Sequence, residues 1–276
     1  MKYGLDVSIG GSYSNPRRLA DLAAEAEEAG WDGFFIWDGL WPDGQEPASD
    51  PGIALAAIAM QTERIRIGTM VCAPARRRPW KLARETVSLD HLSHGRLIVG
   101  VGLGYSALDF EAFGEEANPR IRAEKLDEGL QVLCGLWTGE PFTFQGKHYQ
   151  VNSARFLPKP VQGPRIPIWV GGYWPNRRPF RRAARWDGVR PAKVNEAPLT
   201  PDDIREIVAY VKAHRTSSDA FDLVMYGLTP SNPKKGAKIV QPFMEAGATW
   251  WVDGIGDYRG SYKRMKERIR NGPPRA

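Results

Sequence analysis

Hydrophobic residues along this chain fall into two kinds of stretch, short β-branched runs and longer amphipathic segments. The run from Ile65 to Val71 is apolar without polar alternation, which is typical of a parallel strand buried on both faces. The segment from Pro16 to Gly30 instead places Leu and Ala residues at helical spacing, behind Asn15 as a helix N-cap. Strands that alternate with amphipathic helices predict parallel βαβ units.

The alternation continues to the end of the chain. Strands are predicted at about 2–9, 33–37, 65–71, 97–101, 166–170, 187–190, 223–228 and 249–252. About eight strands and eight helices in 276 residues favour a (β/α)8 TIM barrel over an open, doubly wound sheet. We expect one domain over residues 1–272, with a small hairpin inserted at about 140–157 before the fifth strand. Residues 273–276 are predicted to form a loose tail.

Composition narrows the class of protein. The chain is 42% hydrophobic and 25% charged, an ordinary globular balance. Its longest apolar stretch, Ile53 to Met60, is too short to span a bilayer, and its N-terminus lacks the layout of a signal peptide. Two cysteines, Cys72 and Cys134, form no disulfide framework. These features predict a reduced, cytoplasmic protein with no membrane partner.

The net charge of +6 raises the question of nucleic-acid binding. The sequence contains no signature of a known nucleic-acid module, so no nucleic-acid partner is expected. Two basic clusters, Arg76 to Arg78 and Arg177 to Arg178, lie beside predicted ligand loops. They favour an anionic cofactor or substrate, although solvated surface arginines would look the same.

In a TIM barrel, ligands bind at the carboxyl ends of the strands. Here those ends are rich in glycine and aromatic residues and poor in histidine and paired carboxylates, which argues against a metal site or a Ser-His-Asp site. Gly171 and Gly172 follow a predicted strand and precede a helix, an arrangement that favours a phosphate site with help from Arg177. The glycines from Gly100 to Gly104 do not match the spacing of a dinucleotide fingerprint.

Several phrases in this order resemble the bacterial luciferase-like superfamily of flavin-dependent oxidoreductases. The matching phrases are Glu28 to Asp38, Thr62 to Thr69, Leu89 to Arg96, Gly100 to Tyr105, Leu126 to Leu130 and Pro167 to Gly172. The resemblance covers nearly the whole chain. It implies a barrel whose mouth holds FMN or the deazaflavin coenzyme F-420 (F420).

The resemblance also implies where the cofactor lies. The family has a bulge at the end of the third strand, often with a non-proline cis peptide, that supports the cofactor ring; by position this is Met70-Val71. The phosphate would lie at Gly171-Gly172 and the turn that follows. The predicted cofactor contacts are therefore Met70, Val71, Cys72, Gly102, Gly104, Gly171, Gly172, Tyr173 and Arg177.

The sequence departs from the best-defined relatives at two catalytic positions. Many relatives have a histidine after Asp38, where this chain has Gly39, and the sugar-phosphate dehydrogenases have a glutamate where this chain has Tyr105. Asp38 and Tyr105 remain the candidates for proton handling, although Asp38 could instead hold backbone at the rim. Trp37, Trp174 and Arg190 are the predicted substrate-pocket residues.

The function favoured by this pattern is a luciferase-like monooxygenase that uses reduced FMN and O₂ on a small organic substrate. It would have a separate flavin reductase as partner. The alternative is F420-dependent hydride transfer, and a further alternative is a non-catalytic barrel that binds flavin or another ligand. Members of the superfamily are often dimers, so the resemblance implies a homodimer.

Overall fold

The apolar β-branched runs form the strands of a closed barrel. The computed structural model describes residues 1–41 and 43–275. Its strands are β1 (Lys2–Val7), β2 (Gly33–Ile36), β3 (Arg66–Cys72), β4 (Leu97–Val101), β5 (Phe142–Gln145), β6 (Gln150–Ala154), β7 (Ile168–Trp174), β8 (Gly188–Lys193), β9 (Asp222–Gly227) and β10 (Trp250–Ile255). All except β5 and β6 pair in parallel, in the closed order β1-β10-β9-β8-β7-β4-β3-β2. The predicted (β/α)8 barrel is confirmed.

Helices follow the strands on the outside of the barrel. They are α1 (Pro16–Glu28), α2 (Pro51–Gln61), α3 (Pro79–Leu92), α4 (Leu108–Glu111), α5 (Pro119–Trp137), α6 (Arg177–Ala183), α7 (Pro201–His214), α8 (Pro233–Glu245) and α9 (Tyr262–Arg270). The predicted caps are present: Asn15 accepts a hydrogen bond from the Arg17 amide, and Thr200 and Asp203 form a capping box. No helix within residues 1–41 and 43–275 is both long and apolar enough to cross a membrane.

Strand alternation separates two apolar layers. On β1, Leu5 and Val7 face the helices, whereas Phe35 of β2 lies in a separate cluster inside the barrel. Phe35, Trp169 and Trp250 contact one another there, with ring centroids 5.2–5.8 Å apart. These three rings fill the lower barrel, so the space for a ligand lies above them, at the carboxyl ends of the strands.

The hairpin and the C-terminal stretch both pack against the outside of the barrel. Strands β5 and β6 form the inserted antiparallel hairpin, whose turn donates backbone hydrogen bonds to Glu128 of α5. The C-terminal residues differ from the expected loose tail. Pro273 and Pro274 are buried, and Arg275 pairs with Asp32 at 2.9 Å; Ala276 lies outside the described residues.

Candidate functional site

The third strand carries an irregularity where a bulge was expected. Pairing between β3 and β4 shifts between Thr69 and Cys72, so that β3 contains an extra residue. The peptide bond between Met70 and Val71 is cis, as the resemblance implied. Met70 lies in the interior cluster of the barrel, and Val71 lies above it at the mouth, partly exposed.

Glycines surround the Val71 side chain. A Cβ added at Gly102 would lie 2.7 Å from the nearest methyl group of Val71, and one added at Gly171 would lie 3.5 Å from it. Gly100 is also close, at 3.4 Å by the same measure. The Val71 bulge therefore faces a surface of β4 and β7 that has no side chains, which suits the close approach of a flat ring.

Asp6 and Arg190 form an ion pair inside the mouth. The Nη2 atom of Arg190 lies 3.5 Å from Oδ2 of Asp6, and the Asp6 side chain is only 2% exposed. Burial raises the pKa of Asp6 to about 6, and the attraction of Arg190 does not offset it. Within the described residues, Oδ1 of Asp6 and Nε of Arg190 are buried and have no hydrogen-bond partner.

Aromatic side chains form one wall of this space. Trp37 stacks on Tyr258, with ring centroids 5.9 Å apart, and the hydroxyl of Tyr258 lies 3.2 Å from that of Tyr226. The Arg190 guanidinium lies 5.0 Å from the centre of the Tyr226 ring. Burial raises the pKa values of Tyr226 and Tyr258, so both hydroxyls stay neutral near pH 7. Trp37 and Arg190 thus both lie at the mouth, and their role as substrate-pocket residues stays a prediction.

Asp38 has a different environment from the one expected of a proton-handling group. It is paired with Arg76 and with Arg77, each at 2.9 Å, and accepts a hydrogen bond from the Ala73 amide. Burial alone would raise the pKa of Asp38, but the two arginines hold it below its ordinary value. Asp38 is thereby fixed as an anchor of the loop after β3, and Arg76 and Arg77 are not free to bind a cofactor phosphate.

Two other predicted cofactor contacts point away from the mouth. Cys72 lies in the layer between the barrel and the helices, because the extra residue of the β3 bulge turns it outward. Burial and the nearby charge of Asp38 raise the pKa of this thiol to about 12. Gly104 has a φ of +88°, and a Cβ added there would lie 2.9 Å from the ring of Phe110, which belongs to α4. Neither the Cys72 side chain nor the open side of Gly104 points toward a cofactor in the mouth.

Strand β7 extends further than predicted, to Trp174 instead of Val170. Gly171 and Gly172 therefore belong to the strand, where they pair with β8, and do not form a turn at a helix N-terminus. Gly172 faces α6, since an added Cβ would lie 2.5 Å from Pro179. Trp174 is buried under α6 against Phe180, so it does not line the predicted substrate pocket.

Arg177 stands at the start of α6 with its guanidinium stacked on aromatic rings. It lies 4.0 Å from the ring centre of Trp174 and 5.0 Å from that of Tyr210. Within residues 1–41 and 43–275 it forms no ion pair. Its N–H groups are therefore available to an anion at the rim.

Tyr105 and Tyr173 lie on exposed rim segments. The Tyr105 hydroxyl donates a hydrogen bond to Glu196 at 2.6 Å, which connects the loops after β4 and β8. This bond to a carboxylate raises the pKa of Tyr105. Tyr105 is 82% exposed and Tyr173 is 42% exposed, so both have room to contact a ligand.

Sequence reasoning missed three side chains of the mouth: Asp6, Tyr226 and Tyr258. Asp6 carried a usable signal, because it is an acid between Leu5 and Val7 within a predicted strand. Tyr258 follows β10 in a short 3-10 turn and had no comparable signal.

Comparisons with known proteins agree with this geometry. A protein of Nakamurella multipartita, described as an F420-dependent glucose-6-phosphate dehydrogenase, is 35% identical over 165 residues, which are 58% of this chain and 48% of the relative. The match thus spans about half the length of that relative.

Two solved structures share the fold across almost their whole length. The F420-dependent tetrahydromethanopterin reductase of Methanopyrus kandleri has a TM-score of 0.80 at 18% identity, covering 98% of this chain and 97% of its own. The oxygenating constituent of 3,6-diketocamphane monooxygenase from Pseudomonas putida, in complex with FMN, has a TM-score of 0.79 at 16% identity, covering 98% and 96%.

The family model covers most of the chain. It describes a family of oxidoreductases, which confirms the predicted family, and the relatives above are named as a dehydrogenase, a reductase and a monooxygenase. The model described as luciferase-like monooxygenase matches residues 4–230. The chain therefore belongs to the luciferase-like monooxygenase family.

Proposed function

We propose that this protein is a hydride-transfer oxidoreductase that uses F420. The observation that carries the proposal is the meeting, in one barrel mouth, of the glycine surface facing Val71 and the buried Asp6–Arg190 pair. The relative from Nakamurella multipartita is named for F420 chemistry, which favours F420 over FMN. The sequence pattern alone favoured the opposite order of the two cofactors.

The residues of the mouth fit a flat cofactor with an anionic tail. Val71, Gly102 and Gly171 would hold the ring, because the two glycines let the Val71 side chain lie close to β4 and β7 and add no side chain of their own to the mouth. Arg177 would hold a phosphate through its N–H groups. When bound, the deazaflavin supplies a carbon that exchanges a hydride with the substrate.

The remaining mouth residues control what surrounds the reacting atoms. Trp37, Tyr226 and Tyr258 form an aromatic wall that excludes water from one side. Tyr105 and Glu196 connect two rim loops, so they are placed to retain a bound ligand. Because the bond to Glu196 raises the pKa of Tyr105, this tyrosine is a poor source of a proton near pH 7.

FMN-dependent monooxygenation is the second candidate. The observation in its favour is that Asp38 binds Arg76 and Arg77, which removes two cations that an acidic F420 tail would otherwise use. Arg177 alone is sufficient for the single phosphate of FMN. This candidate also requires a separate flavin reductase. The single domain over residues 1–272, the homodimer and the cytoplasmic location stay predictions.

The test is an anaerobic titration of the cofactor-free protein with F420 and with FMN, followed by absorbance and fluorescence. We expect micromolar affinity for F420 and weaker binding of FMN. Arg177→Gln should weaken binding of both by about tenfold, the loss of one charge-assisted contact. Gly129→Ala is the matched control, because its added Cβ makes only ordinary contacts at 3.8 Å.

The other outcomes are equally informative. Binding of FMN alone would contradict the F420 proposal and support the monooxygenase. Binding of neither cofactor would overturn the oxidoreductase and leave a non-catalytic ligand-binding barrel.

A further inference from the structure

The Asp6–Arg190 pair is unusual because both partners have unused hydrogen-bonding capacity. A buried carboxylate ordinarily accepts several hydrogen bonds, since an unpaired buried oxygen costs free energy. Asp6 has one long ion-pair contact, 3.5 Å, and the Trp37 side chain also lies against it, but within the distance limit of a hydrogen bond its Oδ1 atom has no partner among the described residues. Nε of Arg190 is a buried donor that likewise has no hydrogen-bond partner among the described residues. One acceptor and one donor are therefore unpaired at the floor of the mouth, where the Arg190 side chain is partly exposed.

The space above the pair is bordered by two tyrosine hydroxyls that pack against a glycine. A Cβ at Gly254 would lie 2.4 Å from the Tyr226 hydroxyl and 2.5 Å from the Tyr258 hydroxyl. The Tyr226 ring supports the Arg190 guanidinium, and Trp37 stacks on Tyr258. An organic molecule in this space would meet aromatic rings on one side and the ion pair beneath it.

The charge around the pair argues against an anionic substrate. Asp6 and Arg190 sum to zero when both are ionised. Three further cations near the strand ends are each held by a carboxylate: Arg77 by Asp38, Lys193 by Asp203 and Arg259 by Asp253. A phosphate monoester bound at Asp6 would therefore face a carboxylate without a compensating cation, whereas an uncharged oxygen would not.

We infer that Asp6 and Arg190 form the subsite for the oxygen of an uncharged alcohol or carbonyl substrate. Arg190 donates a hydrogen bond to that oxygen, and Asp6 holds the hydroxyl proton at Oδ1. This inference rests on the proposed function and gives it a substrate class, one that differs from the sugar phosphate named for the relative of Nakamurella multipartita.

The pair also predicts how binding depends on pH. The groups that face Asp6 are Arg190 of β8, Trp37 directly after β2, Tyr226 of β9 and Tyr258 after β10. The two tyrosines stay neutral between pH 5 and 8, because burial raises their pKa values further above this range. Protonation of Asp6 near pH 6 therefore changes the net charge of the subsite from zero to +1. Only then should it attract a carboxylate.

The experiment is calorimetric titration with cyclohexanol, cyclohexanecarboxylate and glucose 6-phosphate. It uses the protein saturated with whichever cofactor binds, or the cofactor-free protein if neither binds. We expect cyclohexanol to bind at pH 8 more tightly than either anion. Asp6→Asn and Arg190→Gln should each weaken cyclohexanol binding about tenfold, the effect of a lost hydrogen bond to a charged group. Asp202→Asn, at an exposed ion pair, is the matched control.

A second readout separates a ligand contact from a structural effect. Cyclohexanecarboxylate should bind about tenfold more tightly at pH 5 than at pH 8 in the wild type, and equally at both pH values in Asp6→Asn. Circular dichroism of each variant checks its fold, and Arg190 is partly exposed, so Arg190→Gln provides a test if Asp6→Asn does not fold.

Unchanged binding in both variants would overturn the inference, and so would failure of cyclohexanol to bind or preferential binding of glucose 6-phosphate. Failure of the proposed function has a separate signature, namely that neither F420 nor FMN binds.

Discussion

Asp6 and Asp38 are two buried carboxylates near the ends of adjacent barrel strands, and they have opposite surroundings. Asp38 is saturated by Arg76, Arg77 and the Ala73 amide, and its pKa is lowered. Asp6 has one distant arginine and a free Oδ1 atom, and its pKa is raised to about 6. The difference shows that burial does not by itself identify a reactive carboxylate. The number of donors around it decides whether it is an anchor or is available to a ligand.

The largest effect should come from removing the charge of Asp38, whose carboxylate is fully paired. Asp38→Asn leaves Arg76 and Arg77 without their shared counter-charge, which should lower the free energy of unfolding by about 3–5 kcal/mol. Urea denaturation measures it. Asp202→Asn removes an exposed carboxylate and should cost under about 1 kcal/mol. A loss at Asp38 no larger than this control would contradict its role as an anchor.

The two carboxylates should also respond to pH in opposite directions. The pKa of Asp6 rises on folding, so its contribution to stability is present at low pH and is lost as pH rises through about 6. The pKa of Asp38 falls on folding. Its contribution to stability is therefore present at neutral pH and is lost as the pH decreases below the pKa that Asp38 has in the unfolded chain.

Comparison of wild type with Asp6→Asn isolates the pH-dependent contribution of Asp6 to stability. The free energy of unfolding of wild type relative to Asp6→Asn should decrease by about 2 kcal/mol between pH 4.5 and 7.5, measured by urea denaturation. A difference that increases with pH would show that Asp6 behaves like Asp38.

A third prediction extends the comparison to the cofactor side of the mouth. Gly102→Ala places a methyl group against Val71 and should weaken cofactor binding about tenfold, or about 1.4 kcal/mol. Fluorescence titration measures it, with Gly129→Ala as control. Since the affected atom of Val71 is the end of a side chain, the loss of stability should stay near 1 kcal/mol. Unchanged affinity would place the cofactor ring elsewhere.

The smallest effect concerns Cys72, whose pKa burial and Asp38 raise to about 12. In native protein at pH 8, mass spectrometry should show this thiol reacting with iodoacetamide at least about 100-fold more slowly than in urea. Labelling of Cys72 should accelerate in Asp38→Asn as the loop loosens. Rapid labelling of the native wild type would show that the loop after β3 opens without loss of the Asp38 network.

Strand and helix positions were predictable because they depend on local periodicity, which β4 shows most clearly: it has the predicted bounds, 97–101. β7 was not predictable at its end. Glycines 171 and 172 look like a turn in sequence, but pairing with β8 extends the strand through them. Because the strand continues, Trp174 and Gly172 face the helices, and two of the predicted contacts are lost to the packing of α6.

The site was predictable only in part, for the same reason. Gly102, Gly171, Val71, Trp37 and Arg190 lie at the mouth because they fall within or directly after barrel strands, which is a property of chain order. Whether a polar residue there is free depends on its spatial neighbours. The partner of Asp6 lies 184 positions away, and one of the arginines of Asp38 lies 39 positions away.

Hydrophobic periodicity by itself therefore determined the alternation of strands and helices, the barrel and the end of the barrel at which ligands bind. These follow from backbone geometry and the burial of apolar side chains, which each segment encodes locally. Tertiary structure alone decided which acid is neutralised and which keeps an unpaired oxygen. That outcome depends on the donors that distant loops bring within hydrogen-bonding distance, and no local pattern records them.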